Sequence, residues 1–153
     1  MITLEIKGLK QFIKMIDKYP AISEKHVNKA IRNSLYSIKS EATKSAPWGS
    51  TSDLRNNWIV SLKRFEGSLA SGAKQNGFYY GTSVEYGTKP HFVSGKSLAM
   101  WASKKGLNPY AVAKSIAKKG TKANPFLQKS IDSQSSTIDQ IFADALDKII
   151  KEI

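Results

Sequence analysis

The sequence predicts one α+β domain, in which a long N-terminal helix and a C-terminal helix pack on a small, mainly antiparallel sheet. Long apolar stripes at helical spacing occupy residues 22–42 and 126–153, whereas residues 56–65 alternate and are rich in β-branched and aromatic types, as in a strand. A length of 153 residues is typical of a single domain, which can bury about two-thirds of the surface that its unfolded chain exposes.

The first 47 residues predict a strand followed by two helices. Residues 2–6 alternate with the period of a strand, and residues 9–16 place apolar side chains three and four positions apart, as in a short amphipathic helix. Pro20 ends that helix, and Pro47 ends the next one, which has about six turns. The apolar stripe of this long helix consists of Ile22, Val27, Ala30, Ile31, Leu35, Ile38 and Ala42.

The middle of the chain predicts a β-hairpin. We expect a strand over residues 56–65, a tight turn at residues 66–67, and a weaker return strand over residues 68–74. The Asn-Gly pair at residues 76–77 indicates a loop. Residues 78–86 are ambiguous between strand and helix, and we favour a short helix because aromatic and small side chains would then share one face.

A lysine-rich helical insertion is predicted at about residues 89–123. Its first helix is short and ends at Gly106. Its second helix begins after Asn108, a residue type favoured at helix N-caps, and ends at Gly120. The apolar side chains that this second helix is expected to bury are Val112, Ala113 and Ile116.

The final helix is predicted to begin at Asn124 and Pro125, which repeat the Asn-Pro start of the preceding helix. Its apolar side chains continue at helical spacing to Ile153. We assign Pro125, Phe126 and Leu127 chiefly to the core, where Phe126 is expected to anchor the last helix to the sheet.

The residue types that support catalysis or metal binding are sparse. The chain has no Cys, which excludes disulfides, thiolate metal sites and Cys nucleophiles. Neither His26 nor His91 has paired carboxylates at metal-ligand spacing. No Ser lies in a Gly-x-Ser-x-Gly elbow, and residues 49–52 lack the Gly-Lys-Ser/Thr of a phosphate loop. We therefore expect no catalytic residue, no metal and no cofactor.

The chain shows no signal for a membrane. Residues 1–5 lack a basic region followed by an apolar run, and no apolar stretch approaches the ~20 residues of a membrane span. We therefore expect a product that has no membrane partner and stays in the cytoplasm where it is made.

The net charge of +12 is unevenly distributed. Residues 88–129 contain nine Lys and no acid, whereas residues 130–153 contain five acids and two Lys. This polarity suits contacts between unlike ends of neighbouring subunits, or a basic face toward DNA. A third interpretation, slightly favoured over a DNA-facing surface, is that the lysines are simply solvated. The candidates for a DNA-facing surface are Lys89, Lys96, Lys104, Lys105, Lys114, Lys118, Lys119 and Lys122.

Three dense motifs follow one another in the chain: the first motif at residues 46–55, the second at residues 80–91 and the third at residues 120–127. In this order they resemble the tail-component family of long-tailed bacteriophages, proteins of the neck where head and tail join. Ser52 stands where that family usually has Gly. The residues that carry the resemblance, and that we take as candidate interface residues, are Pro47, Thr51, Leu54, Arg55, Tyr80, Val84, Glu85, Tyr86, Gly87, Thr88, Pro125, Phe126 and Leu127.

The resemblance implies a structural virion protein that forms a ring of identical subunits at the head-tail junction, as a neck or tail completion (terminator) protein. Its expected partners are copies of itself, the head connector or head-closure protein, and the tail tube or tail terminator protein. Heterologous contacts, with segment 88–129 and loop 47–55 as contact elements, would close the ring. The alternative is a sequence-independent nucleic-acid-binding protein that uses segment 88–129.

Glu85 is the carboxylate most in need of a partner. It lies between Val84 and Tyr86, and an unpaired charge that is partly buried there would be costly. We expect an ion pair with Arg55 rather than a catalytic role, because a single acid makes no acid and base pair. Such an ion pair would hold the first two motifs together.

Overall fold

The computed structural model describes residues 14, 17–49, 51–75 and 77–153. The predicted strand at residues 2–6 lies outside the described residues. So does the predicted helix at residues 9–16, except for Lys14, which is helical. The elements that follow, in chain order, are α1 (Pro20–Ser45), α2 (Asp53–Asn56), β1 (Trp58–Lys63), β2 (Glu66–Ser71), β3 (Lys74–Gln75), β4 (Phe78–Tyr79), α3 (Gly81–Tyr86), α4 (Gly95–Lys104), α5 (Pro109–Lys119) and α6 (Phe126–Glu152).

The two long helices α1 and α6 lie antiparallel along each other. At one end His26 Nε2 lies 2.8 Å from Glu152 Oε1, and at the other Ser45 Oγ lies 2.8 Å from Ser130 Oγ. Hydrogen bonds from His26 and Lys25 lower the pKa of the Glu152 carboxyl. Small and apolar side chains fill the seam between the helices, namely Ala30, Ala42, Ala145 and Ile149, all buried.

This helix pair packs with small antiparallel sheets, so the predicted α+β class is confirmed. Strands β1 and β2 form a hairpin in which Trp58 pairs with Ser71 and Lys63 with Glu66. Both strands contact α1. A hydropathy search of the described helices finds none that could span a lipid bilayer.

The hairpin turn was predicted two residues too late in the chain. Arg64 and Phe65 form the turn, whereas Glu66 and Gly67 begin β2. Side chains of α1 hold this turn, because Asn28 Oδ1 accepts the Phe65 N–H at 2.8 Å and Glu24 pairs with Arg64 at 2.9 Å.

Gly67 has a packing role instead of a turn role. A Cβ added there would lie 2.6 Å from Ile31 Cγ2 and 2.7 Å from Leu35 Cδ1, so only Gly lets β2 approach α1 this closely. The return strand consequently spans residues 66–71 and not 68–74.

The ambiguous stretch at residues 78–86 contains both kinds of structure. Phe78 and Tyr79 form β4, which pairs with β3 across the predicted loop at residue 77, and α3 begins only at Gly81. The prediction of a short helix is therefore right for residues 81–86 and wrong for Phe78 and Tyr79.

Helices α4 and α5 form a helical hairpin, in which the two helices pack mainly on each other. The Asn108 side chain accepts the N–H groups of Tyr110 and Ala111, which confirms the predicted N-cap, and α5 ends at Gly120. The predicted burial in α5 is wrong in degree, and α4 is the main described element that packs on α5. The side chains of Val112, Ala113 and Ile116 are half-buried.

Candidate functional site

The three motifs meet at one place, which we call the motif junction: residues 46–55, 80–88 and 120–127 around one small core cluster. Leu54 from the first motif and Phe126 from the third are buried there. The Trp58 ring of β1 lies 6.3 Å from the Phe126 ring, centroid to centroid, at 59°, a tilted arrangement that aromatic pairs prefer. Phe126 therefore anchors α6 to the sheet, as predicted. The remaining members of the cluster are Ala46, Ala73, Tyr80, Val84 and Leu127.

Trp58 and Ala73 belong to this core but were not among the candidates from the sequence. A signal existed for Trp58, since the alternation of β1 places it on the same face as Val60. Ala73 had none, because a small residue between two short strands carries no pattern of its own.

Arg55 holds the loop of the first motif against the end of α1. Its Nε donates to the Ala46 carbonyl at 2.8 Å and its Nη2 to the Lys44 carbonyl at 3.1 Å. The guanidinium lies 4.0 Å from the centroid of the Trp48 ring, a cation-π contact. A cation at a helix C-terminus satisfies carbonyls that have no intrahelical partner.

Glu85 caps the last helix, so the predicted ion pair with Arg55 is wrong. The Glu85 Oε2 accepts the Leu127 N–H and its Oε1 accepts the Gln128 N–H, each at 2.9 Å. The first N–H groups of a helix lack intrahelical partners and carry partial positive charge, which a carboxylate satisfies. Glu85 is 7% exposed.

The same capping corrects the predicted start of α6. The helix begins at Phe126, with Pro125 in the N-cap position and no side-chain cap from its own flank. Asn124 instead donates its backbone N–H to the Val84 carbonyl at 2.9 Å. The Asn-Pro pair thus attaches the third motif to the second, and Glu85, which is distant in the chain, caps the N-terminus of α6.

A two-residue bridge extends the contact between the second and third motifs. Thr88 and Thr121 exchange backbone hydrogen bonds of 3.1 and 3.2 Å, and their hydroxyls lie 3.0 Å apart. Gly87 and Gly120 flank the bridge with φ of 73°. An added Cβ at Gly120 would overlap the Thr88 carbonyl oxygen, and one at Gly87 would press on the Thr121 carbonyl oxygen. These positions require Gly for both conformation and space.

Ser52, which stands where the resembled family usually has Gly, adopts a backbone conformation that favours Gly. Ser52 adopts φ 60° and ψ 10°, the left-handed conformation that Gly adopts at little cost, and its side chain makes no capping hydrogen bond to α2. Beside it, Thr51 Oγ1 donates to Asp53 Oδ2 at 2.8 Å.

Burial, together with the Asp53 charge, raises the pKa of the Tyr80 hydroxyl.

We expect Ser52→Gly to raise the free energy of unfolding by about 0.5–1 kcal/mol, because the left-handed strain of about 1–2 kcal/mol is removed and part of it is offset by the entropy of Gly. Urea denaturation measures the change. The matched control is Ser103→Gly in α4, which should lower that free energy by about 0.5 kcal/mol. Two changes of the same sign would contradict the assignment of strain to Ser52.

Burial divides the candidate residues into three groups: buried, half-buried and exposed. Leu54, Glu85 and Phe126 are buried and hold the junction together, whereas Tyr86 is 77% exposed. Thr51 is exposed, and the half-buried candidates are Pro47, Arg55, Tyr80, Val84, Gly87, Thr88, Pro125 and Leu127. The eight candidate lysines are all exposed and lie in the helical hairpin or its flanks: Lys89, Lys96, Lys104, Lys105, Lys114, Lys118, Lys119 and Lys122.

The family comparison bears on this junction. The model of the HK97-gp10-like family, described as a bacteriophage HK97-gp10 tail component, matches residues 10–87, slightly more than half of the 153 residues. The chain belongs to this family of bacteriophage tail components. Comparisons with curated proteins and with solved structures give no match.

In this tail component, the matched residues include the whole first motif and the second motif up to Gly87. The third motif and the helical hairpin lie beyond the match. Since Glu85 caps α6 and Val84 binds Asn124, the junction joins the matched residues to the third motif and to the start of α6. Within the described residues, no three His, Asp or Glu side chains are grouped closely enough to hold a metal ion.

Proposed function

We propose that this tail component acts as a structural subunit of a ring at the head-tail junction, as a neck or tail completion protein between the head connector and the tail. The observation that carries the proposal is the exposure of large aromatic side chains just before and after the junction helix α3. Phe78 is 65% exposed, Tyr86 77% and Phe92 88%. Aromatic residues are enriched at protein interfaces, and neighbouring virion subunits would cover them.

The motif junction supports this role by making the presenting surface rigid. Tyr86 is the last residue of α3, and the preceding residue, Glu85, is hydrogen-bonded to α6. Phe92 follows the Thr88–Thr121 bridge in the chain. These contacts fix the backbone that carries the exposed Tyr86 and Phe92 side chains, so less backbone entropy is lost when a partner binds. A ring would then form by heterologous contacts, which close when the rotation per subunit suits the number of copies.

Purified virions and a phage that lacks this protein test the proposal. We expect the protein in virions at a fixed copy number, a ring in electron micrographs of the neck, and unjoined heads and tails without it. Complementation with Tyr86→Ala should join fewer particles, at least about tenfold, if the side chain is an interface anchor. The control, Tyr36→Ala in α1, removes an exposed Tyr outside residues 78–92. Virions without the protein would reject the proposal.

The second candidate function is sequence-independent binding of nucleic acid. It is favoured by one observation, the eight exposed lysines of residues 89–122 without an acid among them. Such binding weakens steeply with salt, on a slope set by the number of phosphates engaged. A salt titration with duplex DNA measures that slope, and the absence of binding near physiological salt would exclude this candidate.

A further inference from the structure

The outer side of α5 in the helical hairpin combines positive charge with an exposed aromatic side chain. Tyr110, Lys114 and Lys118 are four positions apart and share one side of this helix. This side lies away from the half-buried Val112 and Ile116. The edge of the Tyr110 ring lies against Gly95 at the start of α4, and the side chain is 65% exposed. Neither Lys114 nor Lys118 makes an ion pair with any described residue.

The outer side of α6 has the opposite charge. Ala145 and Ile149 mark the side that is buried against α1. On the opposite side, Asp132, Asp139 and Asp147 follow at spacings of seven and eight, which places them on one face of the helix that is about 80° wide. Among the described residues, Asp139 and Asp147 have no hydrogen-bond or ion-pair partner. The small side chains of Ser136 and Ala143 lie on the same face, between these carboxylates in the chain.

We infer that the helical hairpin of one copy docks on the outer side of α6 of the next copy, with Lys114 and Lys118 facing Asp139 and Asp147. This inference rests on the proposed ring and names its contact. Charge complementarity selects the partner, since like charges meet in any other pairing of these two surfaces. Ser136 and Ala143 leave room for a second helix at a normal interaxial distance of about 8–10 Å.

A second copy fits the hairpin better than DNA does. Phosphates would engage the lysines but would leave the exposed face of Tyr110 uncovered, whereas a helix with small side chains and carboxylates covers both kinds of group. The hairpin and α6 are different surfaces, so every copy offers one of each and the contact is heterologous. Repetition of a heterologous contact produces a ring or a filament rather than a two-fold dimer.

Charge reversal tests the contact in solution. Sedimentation velocity of the full chain at about 50 mM and about 500 mM salt should show assemblies at low salt that dissociate at high salt. The hairpin variant Lys114→Glu/Lys118→Glu and the α6 variant Asp139→Lys/Asp147→Lys should each be monomeric at low salt. The four substitutions in one chain should restore assembly. The control, Lys29→Glu/Arg32→Glu on α1, changes the charge by the same amount as the hairpin variant and should assemble like the wild type.

Mixing the two monomeric variants is the decisive measurement. In the mixture, the normal hairpin of the α6 variant meets the normal α6 of the hairpin variant, and the acidic hairpin of the hairpin variant meets the basic α6 of the α6 variant. Both contacts are complementary, so two variants that are monomeric alone should form mixed assemblies larger than a dimer. Assembly of either variant alone, a wild type that stays monomeric at low salt, or a hairpin variant that loses only DNA binding would overturn the inference. The protein content of virions tests the proposed function separately. If the wild type forms a ring and the charge-reversal variants assemble equally well, the proposed contact is rejected and the ring is not. If virions lack the protein, the proposed function is rejected and the contact in solution is not.

Discussion

Gly120→Ala is expected to lower the free energy of unfolding by about 4 kcal/mol. Gly120 has φ 73° and ψ −160°, a region essentially restricted to Gly, where another residue costs about 1–3 kcal/mol. The added Cβ would also overlap the carbonyl oxygen of Thr88, so the Thr88–Thr121 bridge has to open. Loss of its two backbone hydrogen bonds adds about 1 kcal/mol each. Urea denaturation followed by tryptophan fluorescence measures the effect.

Gly106→Ala is the matched control for this prediction. Gly106 has φ 65°, close to that of Gly120, but a Cβ added there meets no atom within 4 Å. We therefore expect a loss of only about 1–2 kcal/mol, the cost of the backbone conformation alone. Similar losses for Gly120→Ala and Gly106→Ala would show that the overlap with Thr88 is relieved without opening the bridge.

Glu85→Ala is expected to lower the free energy of unfolding by about 3 kcal/mol. The substitution leaves the N–H groups of Leu127 and Gln128 without their acceptor, and a hydrogen bond to a charged group contributes about 1.5–3 kcal/mol. Glu85→Gln should cost about half as much, because the amide oxygen can still accept one of these bonds while the charge at the helix N-terminus is lost. Thermal and urea denaturation, monitored by circular dichroism, measure both losses.

A surface carboxylate and a double-mutant cycle are the controls for Glu85. Asp144 is exposed and, among the described residues, accepts a hydrogen bond from Gln140 of the same helix and from no other, so Asp144→Ala should change stability by about 0.5 kcal/mol or less. Arg55 binds the end of α1 and not Glu85. A cycle of Arg55→Ala with Glu85→Ala should therefore show a coupling below about 0.5 kcal/mol. A coupling of several times that size would support the ion pair that the sequence suggested.

Elements with a long periodic pattern were predictable. Helix α1 and helix α6 each bury one side over many turns, and strand β1 alternates over six residues, so the spacing of apolar side chains alone defines them. The cap of α5 was also predictable, because Asn108 bonds N–H groups two and three positions away. All of these interactions are local or periodic.

Features that depend on residues far apart in the chain were missed or misplaced. The hairpin turn lies at Arg64 and Phe65 because Glu24 and Asn28 of α1 bind it, and these contacts span about forty positions. Turn propensity favoured Gly67, which in fact lets β2 pass close to α1. The position of a hairpin turn sets the register of the two strands that it joins. Here the contacts from α1 fix that position and override the local turn propensity.

The amino-acid order alone establishes two long helices around a small sheet, the asymmetric charge of the C-terminal half and the three motifs that mark a phage tail component, because each of these is written in neighbouring or periodic residues. The tertiary structure alone establishes what the motifs do to one another. Glu85 could bond any cation or helix end within reach, and the packing of Phe126 against Trp58, together with the Asn124–Val84 hydrogen bond, brings the N-terminus of α6 to its carboxylate. A polar side chain takes the partner that the apolar core places beside it.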